Sequence, residues 1–231
     1  MNFEKFAARV RQSSWLASPL RGIYTFIGLP RSTVIKNVKN NQPKSVFVAE
    51  HLKDTVVLSN RLEMIKRMPA NSVAAELGVD EGQFSREMLS TGRIQELHLV
   101  DLWGSVRYSE AKMKDVQAKL AAQTETGQVH VHRAKSVDAA SQFEDGFFDF
   151  VYIDTDHSYT TTAQELSVWA PKVKPGGYLL GHDFVDGNLA LGVKYGVIEA
   201  VAEFVNREDW VLAYVTMNHL ENQSFGLCRS A

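Results

Sequence analysis

Two short stretches concentrate the side chains able to do acid–base or metal chemistry: Asp154-Thr155-Asp156-His157 and His182-Asp183. Each closes an apolar run, FFDFVYI in one case and GGYLLG in the other, so each set stands where a strand ends. Ligands of open α/β sheets sit outside the carboxyl ends of the strands, and Asp154, Asp156, His157, His182 and Asp183 would meet at that edge. Carboxylates are hard oxygen donors that suit a magnesium-like cation, which can bind acceptor oxygens and lower their pKa. Neutral imidazole near neutral pH suits removal of a proton from a hydroxyl, and this makes His157 the expected general base. His182 fits a borderline ion such as manganese or zinc better than magnesium, so it either ligates or orients a ligand. Asp156 reads as an N-cap or turn residue of the helix that follows.

Such an edge requires a parallel sheet, and the pattern from Asn71 onward supplies one. Strand SVAAEL is followed by the glycine turn GVDEG and helix QFSREMLS, the opening unit of alternating strands and helices. Strands ELHLVDL, QVHVHRA, FFDFVYID and GGYLLGHDF follow with helices between them, and GVIEAVAEFVNRE is the last helix. The end differs, because WVLAYVTM and SFGLCRS are joined only by the polar turn NHLENQ and must therefore pair antiparallel.

In Glu76-Leu77-Gly78-Val79-Asp80-Glu81-Gly82 an acid ends the first strand and two glycines, Gly78 and Gly82, permit a tight turn close to a ligand. A dinucleotide fingerprint would place glycine where Glu76 stands, to bring a pyrophosphate to the helix N-terminus. A carboxylate there repels pyrophosphate but accepts hydrogen bonds around a cation, such as the amino group or sulfonium region of S-adenosylmethionine. This disfavours a nicotinamide oxidoreductase. Asp101 ends the next strand, at the spacing where Rossmann-like folds place an acid for ribose hydroxyls. Trp103 and Ser136 follow the ends of strands two and three, on the side expected for adenine.

A mostly parallel sheet closed by an antiparallel hairpin resembles the seven-stranded class I S-adenosylmethionine-dependent methyltransferase. The stretch FDFVYIDTDHSYTTTAQELSVWAPKVKPGGYLLGHDF resembles the family containing the metal-dependent sugar O-methyltransferases of macrolide biosynthesis. The resemblance covers roughly residues 60 to 231 and implies metal ligation at Asp154 and Asp183. Thr155 stands where that family usually has glycine and makes the turn stiffer.

The 231 residues suit one α/β domain with an appendage. Residues 1–60 are expected to be a helical extension acting as a lid or an oligomer contact, and 61–231 the methyltransferase domain. Phe3, Phe6, Ala7 and Val10 mark a short amphipathic helix in that arm. Residues 1–44 hold eight Lys or Arg against Glu4 alone, leaving 17 basic and 26 acidic residues in the remainder. The basic arm is thus expected to pack on its own acidic body or on that of a second subunit. Arg11, Pro19 and Arg21 interrupt the apolar stretches, arguing against a transmembrane span, and lone Cys228 excludes an internal disulfide and favours the cytoplasm. His51, His98, His130, His132 and His219 read as structural or surface residues.

The expected activity is O-methylation of a sugar or glycoside hydroxyl with S-adenosylmethionine and Mg2+ or Mn2+. A catechol-type small-molecule O-methyltransferase, or a catalytically silent module that binds a partner through the arm, are the alternatives. An acidic body without a basic aromatic patch argues against nucleic acid as acceptor.

Overall fold

The computed structural model describes residues 45–188 and 193–229. The amphipathic helix expected at Phe3, Phe6, Ala7 and Val10, and the expected packing of the basic arm, fall on residues 1–44, outside the described residues. Residues 45–186 and 195–229 form one compact unit. Residues 187–188 and 193–194 belong to a second unit and form a two-stranded antiparallel ladder.

In the first unit β1 (Val56–Leu58) and helix α1 (Arg61–Lys66) precede β2 (Ser72–Leu77), α2 (Gln83–Ser90) and β3 (Ile94–Asp101). Then come α3 (Glu110–Lys119), α4 (Ala121–Glu125), β4 (Val129–Arg133), α5 (Ser136–Ala139), β5 (Phe148–Ile153), α6 (Tyr159–Trp169) and β6 (Val173–Gly181). The small ladder is β7 (Gly187–Asn188) with β8 (Val193–Lys194), and α7 (Val197–Arg207), β9 (Trp210–Thr216) and β10 (Phe225–Arg229) close the chain.

The sheet runs β1-β9-β10-β6-β5-β2-β3-β4. Strands β2 to β6 are mutually parallel, while β10 is antiparallel to both β6 and β9, as a hairpin joined by a short turn must be. The sheet has eight strands, one more than the seven expected, because Val56–Leu58 pairs parallel with β9 at the edge. Three residues with only Leu58 buried carry too little apolar periodicity to be read from sequence as a strand.

Near-continuous apolar runs in β2 and β5 follow from burial on both faces, since parallel sheets are covered on each side. One layer packs Phe148, Trp169, Val201, Phe204 and Phe225 beside α6 and α7. The opposite layer packs Met64, Phe84, Met88, Trp103 and Val116 from α1, α2, the loop after β3, and α3. Full burial of each such side chain contributes about 1.5–3 kcal/mol. Strand order reverses between β2 and β5, and the crevice outside their carboxyl ends is the place where open α/β sheets bind ligands.

Candidate active site at the carboxyl edge of the sheet

The parallel ladder extends one residue beyond each strand and so fixes the height of the site. Gly78 N–H donates to the Val100 carbonyl at 2.9 Å, Asp154 N–H to Leu77 at 2.8 Å, and His182 N–H to Ile153 at 3.0 Å. Gly78 holds φ at +87°, and a Cβ there would lie 2.0 Å from the Asp154 carbonyl oxygen. Glycine is required because the turn after β2 lies directly on the backbone that carries Asp154.

Beneath this turn Glu76 is 2% exposed and accepts a hydrogen bond from Ser85 Oγ of α2. Burial pushes its carboxyl up to about 8, only partly offset by that hydrogen bond. Glu76 therefore ties β2 to α2 under the turn. Asp101 organises the turn from the other side. Its Oδ2 accepts the Val79 and Asp80 N–H groups at 2.9 and 3.0 Å, and its Oδ1 accepts the Trp103 N–H at 3.0 Å. Oδ1 keeps capacity for a further donor such as a ribose hydroxyl. Gly82, at φ +68°, opens α2. Lys112 of α3 reaches Asp80 at 2.5 Å and Glu81 at 3.0 Å, holding the turn to that helix.

Trp103 and Ser136 are placed differently from the rest. The Trp103 ring is 1% exposed within the core, and its Nε1–H donates to the Asp80 carbonyl at 3.0 Å, so it braces the turn and offers no open face for adenine. Ser136 Oγ donates to Glu165 Oε1, while Thr155 Oγ1 donates to Glu165 Oε2 at 3.0 Å. Glu165 is fully buried, and burial pushes it up to about 7 against these two hydrogen bonds. The hydroxyl of Thr155 thus anchors the strand-end turn to α6 and α5.

Four predicted groups converge past β5 and β6. His157 Nε2 lies 3.0 Å from Asp183 Oδ2 and its Nδ1 4.0 Å from Asp154 Oδ1. His182 Nδ1 lies 3.5 Å from Asp183 Oδ1 and 3.9 Å from Asp154 Oδ2. One donor atom from each of Asp154, His182 and Asp183 falls within a 4.8 Å cluster. Both His157 (φ +59°) and Asp183 (φ +54°) adopt the left-handed region, a conformation that costs about 1–3 kcal/mol at such residues and collects at functional sites. Burial pushes the Asp154 carboxyl up, and Asp183 adds to this against His182, His157 and Arg61. Asp183 is also pushed up by burial, but His182, His157 and Asn222 outweigh that and hold it below the usual range. Asp156 is a turn residue: it accepts the Ser158 N–H at 2.9 Å and the Thr161 hydroxyl at 2.9 Å, while Ser158 is the N-cap of α6.

Several contributors escaped the sequence reading. Arg61, the first residue of α1, lies 3.6 Å from Asp154 and 3.3 Å from Glu221, with its guanidinium 4.1 Å over the Phe84 ring. Asn222 Nδ2, from the hairpin turn, donates to Asp183 Oδ1. The Tyr195 ring packs 5.0 Å from the His157 ring. These residues come from a leading helix and two loops, where spacing carries no signal.

Residues 75–184 match a family model described as a methyltransferase domain. No curated protein matches the chain. Solved structures share the fold at low identity. An S-adenosylmethionine-dependent methyltransferase from Mesorhizobium loti is 16% identical over 73% of this chain and 96% of its own, with a TM-score of 0.55. A Corynebacterium glutamicum protein is 12% identical over 99% and 97%, with a TM-score of 0.56. The pyocyanin biosynthetic protein PhzM is 10% identical over 73% of this chain, with a TM-score of 0.56, and the match spans 54% of PhzM. Residues 75–184 thus carry the match to a methyltransferase domain, and the chain shares the Rossmann-like fold of these solved structures. Among the described residues, no helix is long and apolar enough to cross a membrane.

Proposed function

We propose that the chain transfers a methyl group from S-adenosylmethionine to a hydroxyl oxygen of a small acceptor, a sugar or glycoside, with assistance from a divalent cation. The observation that carries this reading is the meeting of Asp154, His157, His182 and Asp183 where the glycine turn touches the Asp154 backbone. A hydroxyl acceptor needs deprotonation and alignment with the sulfonium carbon, and both tasks have candidate residues here.

With Asp183 Oδ2 accepting the Nε2–H of His157, the lone pair of His157 sits on Nδ1, the atom on the Asp154 side. Nδ1 is then the proton acceptor, and Asp183 fixes the tautomer and the ring. The donor set fits a cation: two carboxylates and an imidazole, of which Asp183 is held ionised and further supported by Asn222. When bound, Mg2+ or Mn2+ would supply acidification of the acceptor hydroxyl. His182, His157 and then Arg61 beside Asp154 oppose the upward push of burial on that carboxyl. On the donor side, Asp101 and Glu76 shape the turn, and Asp101 Oδ1 is the group left to meet a ribose hydroxyl. The macrolide-sugar resemblance of residues 148–184 supports a glycosidic acceptor.

The test is methyl transfer from isotopically labelled S-adenosylmethionine to a panel of sugars, glycosides and catechols, with and without chelator. Turnover on a glycoside that falls about 10²–10⁴-fold in His157→Gln supports the reading. Turnover confined to catechols moves the acceptor class, and chelator-insensitive turnover removes the cation. Cofactor binding with no turnover on any acceptor favours the partner-binding module.

A further inference from the structure

Away from the carboxyl edge, the neighbouring strands β3 and β4 carry a second group of ionisable side chains. Glu96 and His98 are two apart on β3, and His130 and His132 two apart on β4, so each pair shares one face. The register places His98 opposite His130, which brings all four to one face at the sheet margin. Glu96 Oε1 lies 3.0 Å from His98 Nε2 and 3.1 Å from His130 Nε2. His98 Nδ1 lies 3.0 Å from His132 Nε2.

We propose that Glu96, His98 and His130 form a binding site for a borderline divalent transition-metal ion of the zinc, cobalt or nickel type, separate from the methyl-transfer site. One donor atom from each falls within a 4.8 Å cluster. Ligand atoms about 2.0–2.1 Å from a tetrahedral zinc stand about 3.3 Å apart, close to the two separations seen here. Two imidazoles and one carboxylate are the donor types such ions take, and softer thiolates are not required.

Three features reach beyond proximity. A ligating imidazole fixes its proton on the other ring nitrogen and needs an acceptor for it. His98 has one: with the ion on Nε2, the Nδ1–H donates to His132 Nε2, which makes His132 the positioning residue. His98 is also enclosed, since the rings of Phe143, Phe147 and Phe148 stand edge-on at 5.1 to 5.5 Å. Finally, His130 and Glu96 side chains are 41% and 32% exposed, leaving a route to solvent and an open coordination position.

The test titrates the full chain with cobalt(II), followed by its visible ligand-field absorption, and repeats it with zinc(II) competition. Parent and Asp183→Asn are expected to bind, whereas His130→Ala and Glu96→Gln lose at least tenfold in affinity. Both altered side chains are partly exposed, so either variant alone suffices if the other folds poorly. Unchanged affinity in the folded His130→Ala or Glu96→Gln protein overturns the proposal. So does absence of binding by the parent, or loss of all binding in Asp183→Asn, which would assign the ion to the carboxyl edge.

Discussion

Replacing Gly78 by alanine tests how the cofactor turn and the acidic edge are joined. The new Cβ would stand 2.0 Å from the Asp154 carbonyl oxygen, 2.7 Å from its carbon and 3.3 Å from Thr155 Cα, all backbone atoms. Real Cβ contacts essentially never fall under 3.0 Å, so the two segments must part by about 1 Å or more. Left-handed φ adds about 1–2 kcal/mol for alanine, and overpacking a further 1–3 kcal/mol. Gly92 is the control: its φ is +66° but nothing lies within 4 Å of a Cβ, so Gly92→Ala bears only the first of these costs. Gly78→Ala should therefore be less stable than Gly92→Ala by about 1–3 kcal/mol, read from urea midpoints at equal m-value. Displacing Asp154 by that distance should also lower turnover by about 10²-fold, whereas Gly92→Ala keeps parental turnover. Equal midpoints for the two variants, or parental turnover in Gly78→Ala, would refute the close approach as the joint between the two half-sites.

Glu76 gives a pH signature. In the unfolded chain it ionises near its ordinary value of 4.5, whereas the folded chain keeps the proton until about 8. Its contribution to stability is thus complete below 4.5 and lost as pH rises toward 8, with a slope approaching about 1.4 kcal/mol per unit. Glu76→Gln cannot ionise, so its stability relative to the parent should rise between about pH 5 and pH 7.5; parallel unfolding profiles would contradict this. Thr155→Val removes one of the two hydroxyls that donate to buried Glu165, and should cost about 1–3 kcal/mol in denaturant unfolding. A neutral result would mean that water or Ser136 alone satisfies Glu165.

Most of the sheet was legible because its longer strands carry apolar or alternating runs and the closing hairpin has too short a turn for a parallel crossover. Val56–Leu58 was not, since three residues with a single buried side chain leave no periodicity to detect. At the site, Asp154, His157, His182 and Asp183 could be found because they end consecutive strands of one parallel sheet. Trp103 shows the limit of that logic. Strand-end position says nothing about which way a ring turns, and here φ of +41° sends it into the core. Arg61 and Asn222 reach the site through tertiary packing of segments far apart in sequence, and the cluster of Glu96 with three histidines depends on the β3–β4 register.

The central claim is that the turn from Glu76 to Gly82, held by Asp101, binds S-adenosylmethionine. Calorimetric titration of the full chain with S-adenosylhomocysteine, beside NAD, tests it most directly. The account predicts saturable binding of the homocysteine ligand and none of NAD, weakened at least about tenfold in Asp101→Ala, where the Val79, Asp80 and Trp103 N–H groups lose their acceptor. Absence of binding by folded parent protein, or equal affinity in Asp101→Ala, would contradict it.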